Sequence, residues 1–150
     1  MSQAIIKATT TTRPSNVGFQ RDWYILDASK EPMGRLASRA AIILMGKNRA
    51  DYLPDIDRGG CVVIINTNNA VLTGKKAEKK VYFRYVNGHI GSLKSRSYSQ
   101  QMAVDPTKPM YLALKRMLPK NRHLDIRMNN RVHIFADANH NFTQNLIVAN

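Results

Sequence analysis

This chain is short of cysteine, of acidic side chains and of long apolar runs, and each shortage removes a class of function. Cys61 is the only cysteine in 150 residues, so no intrachain disulfide can form and nothing points to an oxidising compartment. It heads the apolar run Cys61–Ile65 with no neighbour placed to lower its pKa, which suits a small buried hydrophobe better than a reactive thiol. No apolar stretch approaches the roughly 20 residues that cross a bilayer, and Met1–Arg21 lacks the apolar segment of a secretory signal. His89 has no Cys or second His at ligand spacing, which argues against zinc. Asp55 and Asp57 have no histidine or further acid nearby to complete a metal or acid–base site, so a solvated loop is expected there. Thr73-Gly74-Lys75-Lys76 looks like the tail of a phosphate loop, but Asn69 stands where the first glycine is needed. No cofactor, metal, membrane or small-molecule substrate is expected.

What the chain has instead is positive charge. Ten acids face 23 Lys and Arg, for a net charge of +13. Gly74–Arg131 holds 14 of those basic residues and only 3 of the acids. A surplus concentrated in one stretch is an electrostatic footprint for a polyanion, nucleic acid being the commonest. Solubility alone needs only a modest charge of mixed sign. Lys75, Lys76, Lys79 and Lys80 run into Val81-Tyr82-Phe83-Arg84-Tyr85, where alternation makes Val81, Phe83 and Tyr85 the core face and leaves Arg84 outward. The loop Asn87–Lys94 carries His89 and two glycines that let a backbone approach a phosphate, and it leads to Lys94 and Arg96. Lys115, Arg116, Lys120 and Arg122 crowd one helix end beyond what its dipole requires. Arg127 and Arg131 extend the track, and Lys47 and Arg49 follow an earlier helix. These sixteen residues are the candidate RNA contacts.

The frame reads as α/β. Met1–Asp22 is a basic, Thr-rich extension expected to order on a partner, and residues 23–150 form the RNA-binding domain. Trp23–Leu26 reads as a strand. Ser29–Pro32 offers helix-start chemistry; Met33, Leu36, Ala37, Ala40, Ile43 and Leu44 give an apolar face at helical spacing, closed by Gly46. Cys61–Ile65 is unbroken and β-branched, as in a strand covered on both faces of a parallel sheet. Ser97 or Ser99 caps a short helix ending before Pro106. A second helix runs from about Lys108 with Met110, Ala113, Leu114, Met117 and Leu118 on one face until Pro119. Val132–Phe135 is a last strand. The result is a single three-layer α/β/α domain with a small, mostly parallel sheet.

Five blocks resemble a known family, the universal large-ribosomal-subunit protein L thirteen. They are WYILDA at Trp23–Ala28; GRLASRAA at Gly34–Ala41 with MGK at Met45–Lys47; VVIIN and VLTGKK between Val62 and Lys76; KVYFRY and GHIGSLK between Lys80 and Lys94; and MLPKN at Met117–Asn121. The resemblance implies a non-catalytic protein of the large subunit that binds its ribosomal RNA, joins early in assembly and has other ribosomal proteins as neighbours. It also implies RNA contact by Lys47, Lys75, Lys94 and Lys120, at the family's basic positions. The expected location is the cytoplasmic ribosome, with an organelle ribosome as the alternative. The competing functions are an RNA-processing or nucleotide-dependent α/β enzyme and an extra-ribosomal RNA- or protein-binding regulator.

Overall fold

The computed structural model describes residues 19–86, 88 and 90–148; the basic extension before Phe19, and His89, lie outside them. A parallel sheet of four strands forms the centre: β1 (Trp23–Asp27), β2 (Cys61–Ile65), β5 (Val132–Ile134) and β6 (Leu146–Val148), in the order β5-β2-β1-β6. β2 lies between β1 and β5, and Val62, Val63 and Ile64 are fully buried. That position explains a run with no polar alternation. The chain continues through α1 (Met33–Met45), the short α2 (Lys76–Lys79), an antiparallel hairpin of β3 (Val81–Tyr85) and β4 (Leu93–Ser97), and the helices α3 (Tyr98–Val104), α4 (Lys108–Met117) and α5 (His123–Asn130).

One sheet face presents Leu26, Val62, Ile64 and Val132, and it shares a single core with α1, α4 and Met128 of α5. All six apolar positions expected for α1 are buried. Gly46 ends the helix in the left-handed conformation at φ 79°, which glycine adopts without a Cβ penalty. The start differs from expectation. Ser29 does not cap α1, because its hydroxyl donates to the Asp27 carboxylate at 2.7 Å, and Pro32 occupies the cap position without a side-chain bond. α3 does carry its expected cap: the Ser97 hydroxyl accepts from the Gln100 N–H while the Gln100 side chain accepts from the Ser97 N–H.

On the opposite sheet face Trp23 stacks on His133 at 5.7 Å, and Phe142 sits 5.0 and 4.5 Å from those two rings. The amide-rich C-terminal segment, whose pattern gives no element, thus supplies both a covering ring and the edge strand β6. Burial holds the His133 imidazole below its ordinary pKa.

α4 packs along α1 through Met110 and Leu114, both fully buried. Leu114→Ala removes side-chain volume from the centre of that contact. A loss of about 2–5 kcal/mol is expected, read as a lower urea midpoint with unchanged m-value.

The hairpin reverses its expected faces. Tyr82 is the buried residue, whereas Val81, Phe83 and Tyr85 point outward. Alternation identifies two faces but not which one meets the core, and here α3 and α4 lie on the Tyr82 side.

Candidate nucleic-acid interface

Two grooves collect the predicted cations. The first, about 660 Å³, lies between the start of α1, the Leu72–Lys80 segment and the end of α4. Met33, Leu72, Ala113 and Met117 line it, and Lys75, Lys76, Lys79, Lys80 and Arg116 surround them. Met117, expected in the core, is 40% exposed here, whereas Leu118 just past the helix end is buried. Lys75 brings Lys76, Lys79 and Lys80 together by starting the single turn of α2: the Lys79 and Lys80 N–H groups donate to the Lys75 and Lys76 carbonyls at 3.1 and 3.0 Å. Burial first, and then the charge of Arg116, lower the Lys80 pKa. Its ammonium lies 5.2 Å from the Tyr82 ring centre, a cation–π contact. Among the described residues, none of these five cations forms an ion pair.

The second groove, about 530 Å³, runs between the hairpin and helices α3 and α4. Cross-strand pairing sets Arg84 against Lys94 and Tyr82 against Arg96, so these side chains share the groove-facing side. Lys108 joins them from α4. It is not among the sixteen predicted contacts, because its local pattern marks only a helix start; its place in the dense basic stretch was the available signal. Arg35, at the N-terminal turn of α1, lines a hollow that adjoins the first groove through Met33, Thr73 and Lys76. It too is absent from the predicted set.

The remaining candidates divide. Lys115, Lys120 and Arg122 are exposed around the end of α4. Lys47 is exposed at the other end of α1, and 13 helical residues put it about 20 Å from the first groove. Arg49 is committed to the frame: it pairs with Asp22 at 2.9 Å and Asp51 at 3.1 Å and lies over the Phe19 ring.

Arg127 and Arg131 are not surface contacts. Both are buried, and both bind the Asp57 carboxylate, Arg127 through Nε at 3.2 Å and Arg131 through both terminal nitrogens. Asp57 is therefore buried too, not part of a solvated loop. Charge counting along the chain could not reveal this, since the partners stand 70 and 74 residues apart. Burial alone would raise the Asp57 carboxyl; the hydrogen bond and charge of Arg131, with Arg127, more than offset it and hold the pKa below the ordinary carboxylate value. Arg21 joins from outside by donating to the Gly59 and Asp57 carbonyls at 2.7 and 3.2 Å. Cys61, buried beside this cluster, has its thiol pKa pushed up, chiefly by burial.

In comparison with known proteins, the ribosomal protein L13 family model matches residues 21–141. The chain belongs to the ribosomal protein L13 family. Among bacterial relatives named large ribosomal subunit protein uL13, that of Thermotoga petrophila is 42% identical over 135 residues, covering 90% of this chain and 88% of the relative. That of Caldanaerobacter subterraneus subsp. tengcongensis is 45% identical over 128 residues, covering 85% and 87%; that of Chloroflexus aggregans is 43% identical with the same coverage. The L13 match begins at Arg21, the residue that ties the strand β1 entry to the Asp57 loop. As a ribosomal-protein family, L13 is structural and not enzymatic.

Proposed function

We propose that this chain is a structural constituent of the large ribosomal subunit that binds its ribosomal RNA through the two cationic grooves and supports early subunit assembly. It works in the cytoplasmic ribosome, with neighbouring ribosomal proteins as its other partners. The observation that carries the reading is the first groove: five cations converge there without an ion pair among the described residues. Like charges held this close repel one another; at Lys80 burial first, and then the charge of Arg116, lower the pKa. A phosphate backbone relieves it and releases counterions. Lys75, Lys76, Lys79, Lys80 and Arg116 form one contact set; Arg84, Lys94, Arg96 and Lys108 form the second. Lys115, Lys120, Arg122 and Lys47 add separate points of attachment. Phosphate contacts of this kind position the protein, while RNA shape supplies the selectivity.

Replacing Lys75, Lys76, Lys79 and Lys80 together by Ala tests the reading. Lys75, Lys76 and Lys79 are exposed on or beside a single helical turn and Lys80 alone is partly buried, against the Tyr82 ring, so the thermal midpoint should change little. Binding to large-subunit ribosomal RNA should weaken. The slope of log K against log salt should become shallower, by roughly 0.7–0.9 for each phosphate that the variant no longer neutralises. An unchanged slope would take this groove out of the interface.

A further inference from the structure

We propose that the outer face of the β3–β4 hairpin is a stacking platform for unpaired RNA bases, with Phe83 and Tyr85 as its two plates. The inference rests on the RNA-binding reading above and adds an interaction that phosphate neutralisation does not supply. Phe83 is 64% exposed and Tyr85 72% exposed. They occupy alternate positions on one strand, so they share a face, and the cross-strand residues opposite them are Ser95 and Leu93. Phe83 borders the rim of the second groove, yet both residues keep most of their surface open to solvent. Large rings set side by side on a solvent-facing ribbon mark a surface that meets a partner.

The charge of the hairpin selects the kind of partner. Residues 81–97 contain Arg84, Lys94 and Arg96 and not one Asp or Glu. The three cations occupy the side turned towards α3 and α4, so one ribbon presents apolar rings outward and positive charge inward. An anionic chain that also carries flat apolar groups matches both sides, and single-stranded RNA is such a chain. Residues two apart on a strand are separated by about 6.6–6.8 Å, twice the roughly 3.4 Å between stacked bases along one strand. A base can therefore enter between the plates, or each plate can take its own. Within a duplex the base faces are already covered by their neighbours, which leaves only the two end pairs open to a ring.

Binding is measured for the full chain with two probes: an oligoadenylate of about ten nucleotides and a blunt RNA duplex of about 20 base pairs. Phe83→Ala and Tyr85→Ala should each weaken oligoadenylate binding roughly five- to a hundredfold. The salt slope and the duplex affinity should stay as in the wild type. Phe83→Trp should retain oligoadenylate binding, with its added fluorescence quenched by the oligonucleotide but not by the duplex. The Lys94→Ala, Arg96→Ala double variant should behave in the opposite way, with a reduced slope on both probes. Two results would overturn the platform while leaving phosphate binding intact. One is oligoadenylate affinity unchanged in both Ala variants, including the case where they instead lose retention on purified large subunits, which would make the face a protein contact. The other is an equal loss on both probes. A wild type that bound neither probe would overturn the RNA-binding reading, and the platform with it.

Discussion

Asp57→Asn should cost about 3–5 kcal/mol of folding stability, measured by urea denaturation near neutral pH. The amide keeps the size of the carboxylate and removes its charge, leaving the guanidiniums of Arg127 and Arg131 buried without a counter-ion. Removing one partner of a buried ionic cluster is costly for that reason, whatever the net worth of the intact cluster. The cluster also joins three parts of the chain: the loop before β2, helix α5 and the residue that enters β5. Its loss should therefore loosen the sheet edge at β5 first, seen as faster amide exchange at Val132–Ile134. The pH dependence has a fixed sign. The folded carboxyl titrates below its ordinary value, so its contribution is complete above about pH 4 and disappears as pH falls through the folded pKa. Wild-type stability should decline in acid while the Asn variant changes less, and the gap between them should narrow. A gap that widened with acid would contradict the assignment.

Gly59→Ala should be comparably damaging, about 3–5 kcal/mol, though no charge changes. A Cβ at this position would lie 1.8 Å from the Leu44 carbonyl oxygen and 2.5 Å from its carbon. Both are backbone atoms of α1, so no side chain can rotate away. The loop crosses the helix end closely enough for the Gly60 N–H to donate to the Ile43 carbonyl at 3.1 Å, alongside the Gly46 N–H at 3.0 Å. Displacing the loop would break that bond, the Arg21 bond to the Gly59 carbonyl, and the approach of Asp57 to its arginines. A loss under about 1 kcal/mol in the same melts would show that the loop shifts freely. Adding Asp57→Asn to this variant should cost less than the sum of the two separate changes, because both act on one loop.

The elements with a strong local signal were legible in the residues. α1 carries six apolar positions at helical spacing and a terminal glycine, β2 has five apolar residues in a row, and α3 has its serine cap. Each of these features acts within a turn or two of the chain. The misreadings share the opposite property. Val81, Phe83 and Tyr85 fell on the wrong face because periodicity carries no information about where α3 and α4 will lie. α5 and β6 have weak patterns and depend on packing against β5 and β1. Arg127 and Arg131 counted as surface charge because their partner is distant in the chain.

Composition and local pattern were enough to determine an α/β chain built to meet a polyanion, with its cations between Gly74 and Arg131 and its helix ends set by Gly46 and Ser97. Those properties depend on net charge and on interactions between near neighbours. Only the tertiary structure decided which cations reach solvent. Lys75, Lys76, Lys79 and Arg116 surround an open groove, whereas Arg127 and Arg131 neutralise a buried aspartate. A guanidinium carries the same charge in both settings; burial and the distance to a carboxylate, which folding alone sets, decide whether it faces an open groove or holds the fold.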